Sequence, residues 1–158
     1  MPPHKHLRRL DQVWLEPAVY FVTVCVAGRR AMLANPNAFA VLTEEFQAAP
    51  ERHGWTIGRF VAMPDHLHFF CAEGGRPDAV ALSRFAGGFK QWTAKRILRF
   101  AGAPAPLWQR QFFDHVLRSG ESYESKWSYV RENPVRAGLV AKAEDWPYGG
   151  ELAVIARW

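Results

Sequence analysis

Residues 55–72 run WTIGRFVAMPDHLHFFCA. Two stretches rich in β-branched and aromatic residues, Trp55–Met63 and His66–Ala72, flank Pro64-Asp65, a pair suited to a tight turn. The segment therefore predicts two consecutive strands. Upstream, Val19–Ala27 (VYFVTVCVA) reads as a buried strand closed by Gly28 and two arginines. Between it and the pair, Asn37–Ala49 sets Phe39, Leu42 and Phe46 at helical spacing, with Asn35-Pro36 as the start and Pro50 as the stop. Downstream, Gly74-Gly75-Arg76-Pro77 breaks the chain, and Asp78 to Phe100 reads as a long helix weakened in the middle by Gly87-Gly88. Ala101–Pro106 is a loop and Gln111–Arg118 a fourth strand. Glu121–Asn133 is a helix ended by Pro134. Strand, helix, strand, strand, helix, strand is the ferredoxin-like (RRM-like) pattern. It is an α+β arrangement with an antiparallel sheet and two helices on one face. The last helix then has to lie elsewhere.

The chain has 158 residues, enough to bury a sizeable core, and is expected to form a single domain over 1–158. Twenty Lys and Arg against fifteen Asp and Glu leave a formal charge of +5, a balance that suits polyphosphate or nucleic-acid partners. No apolar run approaches the ~18 residues of a spanning helix, and no signal-type apolar core follows the basic N-terminus, so no membrane partner is expected. Cys25 and Cys71 lie inside apolar runs, as buried thiols of a cytoplasmic protein do. No Gly-rich phosphate loop is present, which argues against a nucleotide cofactor.

His66 and His68 carry the chemistry. On a strand, residues i and i+2 point to one face about 6–7 Å apart, so two imidazoles there can converge on one divalent ion. Leu67 and Phe69 would then face the two helices. Taken alone, His-x-His more often describes two half-exposed strand residues. Tyr129 and Asn133 lie four apart on the last helix and so share a face. A tyrosine is a poor nucleophile unless set against an activated phosphorus. Asn133 is placed to offer its amide oxygen to the same ion, or else to start the segment Pro134–Ala137 as an N-cap. Tyr129 by itself also fits a boundary aromatic.

For nucleic-acid contact, the helix from Ser83 to Phe100 offers Arg84, Lys90, Lys95, Arg96 and Arg99, with Trp92 among them. Such cations neutralise backbone phosphates, or simply form a solvated face. Arg8 and Arg9 extend this set at the N-terminus and Arg118 on the fourth strand. Trp108, Gln109 and Arg110 precede that strand, where a ring can stack and polar groups can read a base edge. Asp114 and His115 read as a structural pair.

In order along the chain stand Met63-Pro64-Asp65-His66-Leu67-His68, Trp108-Gln109-Arg110-x-Phe112, Asp114-His115-Val116-x-Arg118 and Tyr129-x-x-x-Asn133-Pro134-Val135-Arg136-x-Gly138. Together, over roughly residues 15–148, they resemble the REP-associated tyrosine transposases, relatives of the single-tyrosine HUH transposases. The resemblance implies a ferredoxin-like HUH fold with the tyrosine helix on the histidine face. It implies Tyr129 as nucleophile, with His66, His68 and Asn133 as ligands to Mg²⁺ or Mn²⁺. The implied reaction is cleavage and strand transfer through a 5′-phosphotyrosine. The implied substrate is single-stranded or hairpin DNA, and the implied state a monomer or homodimer. Two other readings stand beside it. One is a single-stranded nucleic-acid-binding module, which needs paired aromatics on the open sheet face. The other is a metal phosphodiesterase that forms no covalent adduct.

Overall fold

A computed structural model describes residues 18–117 and 120–155. Five strands form one antiparallel sheet: β1 (Val19–Cys25), β2 (Trp55–Ala62), β3 (His66–Glu73), β4 (Phe113–Leu117) and β5 (Gly149–Glu151), in the order β4-β1-β3-β2-β5. Helices α1 (Pro36–His53) and α2 (Leu82–Ala101) cover one face, while α3 (Gly120–Arg131) lies on the other, followed by a four-residue helical turn, α4 (Asn133–Arg136). The expected ferredoxin-like order holds, and β5 is added at the β2 edge.

The central strands read as near-continuous apolar runs because both faces are buried. Val22, Val24, Leu67, Phe69 and Cys71 join the helices α1 and α2 in one core. Val19, Phe21, Phe70 and Ala72 meet Tyr123 and Val130 of α3 in a second. Both thiols are free and buried. In β2 the alternation changes phase: Trp55 and Ile57, then Phe60 and Ala62, face the first core. A register shift between Ile57 and Phe60 absorbs the extra residue. Gly58 sits in it because a Cβ there would come within 2.6 Å of the Tyr123 hydroxyl.

Several boundaries differ from the sequence reading. Pro50 does not stop α1. The helix runs on to His53 and ends at Gly54, whose left-handed backbone (φ 82°) lets its N–H reach the Ala49 and Pro50 carbonyls. Pro50 forgoes only its own N–H bond near the helix end. At the start, Asn35 caps as expected, its side chain accepting from Ala38 N–H. α2 begins at Leu82 and not at Asp78, because Arg76 ties the preceding loop to the Pro50 and Glu51 carbonyls and to Asp78. Gly88 has a packing reason: a Cβ would stand 2.8 Å from the His53 ring, so glycine lets α1 and α2 close on each other. Pro134 does not end the last helix either. α3 closes at Arg131, and Pro134 lies in the first turn of α4, where a missing N–H costs nothing. Arg8, Arg9 and Arg118 lie outside the described residues.

Candidate functional site

β3 turns His66 and His68 toward the α3 face. Their ring centroids are 4.8 Å apart and their planes are inclined at 77°. Each ring is fixed through Nδ1. His68 Nδ1 lies 2.7 Å from Thr23 Oγ1, its direct neighbour across the β1–β3 ladder, and Phe21 stacks on the ring at 5.1 Å. His66 Nδ1 lies 2.8 Å from Asp65 Oδ1. Arg29 Nε donates to the other Asp65 oxygen at 2.9 Å. Burial opposes ionisation of Asp65, but the hydrogen bonds from Arg29 and His66 outweigh it and hold the carboxyl below its ordinary range. With Nδ1 engaged by Asp65, Nε2 is the His66 nitrogen for which no hydrogen bond is found among the described residues. Burial, then the charges of His66 and Lys126, lower His68 to about 3, so this imidazole is neutral at physiological pH.

Local backbone holds these partners in place. Asp65 sits in the β2–β3 turn, where its carbonyl accepts from Val26 N–H and the Pro64 carbonyl accepts from Met32 and Leu33. Arg29 has φ 52°, following Gly28 at φ 70°. A left-handed arginine is a strained position, of the kind that clusters at functional sites.

Over the histidines lies an open cleft of about 430 Å³ lined by Phe21, Met63, His66, His68, Lys126, Tyr129, Val130, Asn133, Arg136 and Ala137. Tyr129, 62% exposed, thus opens on the same cleft as the histidines and Asn133. Asn133 heads α4, yet its side chain makes no capping bond. Its Oδ1 accepts from Arg136 Nη2, which also donates to the Tyr129 carbonyl at 2.6 Å. The Arg136 guanidinium lies over the Tyr129 ring at 3.9 Å. Tyr123, by contrast, is wholly buried.

As a test of fit to a divalent ion, the donors are two imidazoles with engaged Nδ1 atoms and one amide oxygen. That mixed set suits Mg²⁺ or Mn²⁺, and ligating histidines characteristically have the other nitrogen held this way. Among the described residues no group of three His, Cys, Asp or Glu is placed to hold a metal, and Asn133 is the side-chain amide that lines the cleft with the two histidines.

The proposed DNA-contact residues are dispersed. Trp108 is 5% exposed and donates from Nε1 to Thr93, so it is a core residue and presents no stacking surface. Lys90 Nζ is turned onto the carbonyls of Gln109, Arg110 and Gln111 and fastens that loop to α2. Gln109 lies along Val26. Arg96 pairs with Glu44. Arg84, Lys95, Arg99 and Arg110 are exposed, as is Trp92, over which Arg52 stacks at 4.1 Å. The cations of α2 belong to the layer opposite the cleft. His115 and Asp114 are exposed, and no hydrogen bond joins their side chains among the described residues.

Sequence reasoning gave no role to Thr23, Arg29 or Lys126, and named Asp65 and Arg136 only within motifs, Asp65 also as a turn residue. Thr23 is the one aliphatic hydroxyl in VYFVTVC, but only the strand register sets it beside His68. Lys126, Tyr129 and Asn133 fall at helical spacing, a signal that was available.

No protein-family model matches the chain. A REP-associated tyrosine transposase of Escherichia coli (strain K12) is 25% identical over 144 residues, covering 91% of this chain and 82% of that protein. A candidate member of the same group from Haemophilus influenzae is 27% identical over 141 residues, covering 82% and 77%. The resemblance drawn from the motifs is thus borne out over most of both lengths. Among solved structures, a REP-associated tyrosine transposase bound to a REP hairpin superposes with a TM-score of 0.67 at 23% identity, covering 84% of this chain and 75% of that one. A candidate transposase from Deinococcus radiodurans R1 gives 0.53 at 16% identity, covering 73% and 90%. At these identities both speak to the fold.

Proposed function

We propose, from the likeness to the REP-associated tyrosine transposases, that this chain is an enzyme of the transposase kind that cuts and rejoins single-stranded DNA beside a hairpin. One observation carries the reading. Two imidazoles with Nδ1 atoms held by Thr23 and Asp65 open on the same cleft as Tyr129 and Asn133. In this reading His66, His68 and Asn133 hold Mg²⁺ or Mn²⁺, which when bound withdraws charge from the scissile phosphate. Tyr129 Oη attacks phosphorus, the bond to the 3′ oxygen breaks, and a 5′-phosphotyrosine and a free 3′-hydroxyl result. The phenol proton goes to solvent and the departing oxygen takes one up. The adduct keeps a phosphodiester linkage, so a second 3′-hydroxyl can reverse the step without a nucleotide. A hairpin is the favoured substrate because a structural relative binds one. The binding-module reading is served less well. The strand row that crosses His68 ends in one exposed aromatic, Phe113, for which no contact with another aromatic ring is found among the described residues.

The test is incubation with end-labelled hairpin oligonucleotides and Mn²⁺, followed by denaturing electrophoresis. Wild type should give a covalent adduct that EDTA abolishes. Tyr129→Phe should bind DNA and give none, whereas Tyr148→Phe should behave as wild type. Cleavage by Tyr129→Phe at the wild-type rate would replace the covalent reading with hydrolysis.

A further inference from the structure

The cleft has an unbalanced charge. Its lining contains no Asp or Glu, yet two cations, Lys126 and Arg136, reach it. At its rim Arg29 is neutralised by Asp65, and elsewhere Arg52, Arg59, Arg76, Arg96 and Arg131 all have carboxylate partners. Among the described residues no ion pair involves Lys126 or Arg136. Lys126 Nζ instead lies over the Phe21 ring at 4.8 Å, and Arg136 lies over Tyr129. Phe21, Met63 and Val130 supply an apolar floor, which strengthens any charge interaction made above it. Cations set over apolar walls with no anion of their own make a receptor for an anion from outside.

Resting on the reading above, we propose that Lys126 and Arg136 bind the non-bridging oxygens of one phosphodiester in this cleft, and that Arg136 gives up Asn133 Oδ1 to do so. Arg136 at present spans the nucleophile and the candidate ligand, touching the Tyr129 ring, the Tyr129 carbonyl and the Asn133 amide. A guanidinium has five donors in a fixed fork and can hold the Tyr129 carbonyl while offering others to phosphate. Transfer of Arg136 from a neutral amide oxygen to an ionised phosphate oxygen is favourable, because the guanidinium then meets a full opposite charge in place of a dipole, above an apolar floor. The exchange frees the Asn133 oxygen as the phosphate arrives beside Tyr129. Ligand formation and nucleophile placement are thereby tied to occupancy by DNA.

The experiment is a double-mutant cycle on binding. A neutral methylphosphonate is walked one position at a time along the single strand flanking the hairpin, and Kd is measured for wild type, Lys126→Gln, Arg136→Gln and Arg136→Lys. In wild type one position should weaken binding roughly tenfold or more, the scale of a charge-assisted contact. That penalty should shrink in each Gln variant, since one of the two cations is then missing, and recover in part in Arg136→Lys, and a merely structural role would leave it intact. If the penalty shrinks at no position in the variants, the proposal is overturned. An adduct that depends on Tyr129 in the same preparations keeps the covalent reading standing even then. Binding needs no chemistry, so a missing adduct overturns that reading without touching this one. Should Arg136→Gln not fold, Lys126→Gln and Arg136→Lys decide the matter alone.

Discussion

Thr23 and Asp65 illustrate how much of this site depends on residues beside the histidines. A free imidazole in a strand rotates and exchanges tautomers. One held at Nδ1 presents a single nitrogen in a single direction. Thr23→Val keeps the β-branched shape that suits β1 and removes the Oγ1 that lies 2.7 Å from His68 Nδ1. The expected outcome is an unchanged fold with Mn²⁺ affinity lowered about 10–100-fold, the usual consequence of losing such a partner. Titration of Mn²⁺ by electron paramagnetic resonance, without DNA, checks it. Equal affinity in the two proteins would mean that His68 is not a ligand or needs no positioning. Cys71 takes no part at this scale: burial, with Asp114 nearby, raises its thiol well above the ordinary range.

At the scale of elements, the contact between α1 and α2 turns on His53. Burial, then the neighbouring charge of Arg52, lowers its pKa, and its ring packs on Phe85 and Gly88. A histidine lowered in the fold is neutral there while the unfolded chain still titrates near 6.5. The folded state therefore binds fewer protons, so its stability is full above about 6.5 and is lost as pH falls from there toward the lower folded value. Melting temperature should drop between pH 7.5 and 5.5 by more in wild type than in His53→Phe, measured by circular dichroism in matched buffers. Parallel drops would remove His53 as the cause. The same contact marks the limit of legibility in the sequence. Periodicity disclosed both helices and all four principal strands, because burial on one or two faces writes itself at spacings of two or three to four residues. The purpose of Gly88 stayed hidden, since it answers to a residue 35 positions away. β5 stayed hidden too, because Gly149-Gly150-Glu151 carries no apolar signal. Nor can local sequence distinguish a lysine that meets solvent from Lys90, folded back onto three carbonyls. The histidines and Tyr129 were legible as a motif, and Asp65 stands next to His66 in the sequence, whereas Thr23 meets His68 only through strand register.

At the scale of the molecule, the sheet divides the cationic surface. Arg84, Lys95 and Arg99 belong to α2, in the layer packed on the face carrying Leu67 and Phe69, while Lys126 and Arg136 line the cleft beyond the other face. A DNA hairpin engaged on both sides would have to pass around an edge of the sheet, whereas one confined to the cleft side would leave the α2 cations in solvent. The two arrangements differ in salt dependence. Each phosphate contact on a single strand contributes about −0.7 to the slope of log affinity against log salt. If the α2 cations hold DNA, neutralising all three as Arg84→Gln, Lys95→Gln and Arg99→Gln should flatten that slope by about 2. Adduct formation at saturating DNA should be unchanged, because no reacting group is touched. Fluorescence anisotropy from 50 to 300 mM salt, paired with single-turnover gels, separates affinity from chemistry. We expect the flattening, since three exposed cations on one helix have few carboxylates to answer them, Glu44 being taken by Arg96. An unchanged slope would confine DNA to the cleft side, and Lys126 and Arg136 would then have to carry the phosphate contacts there.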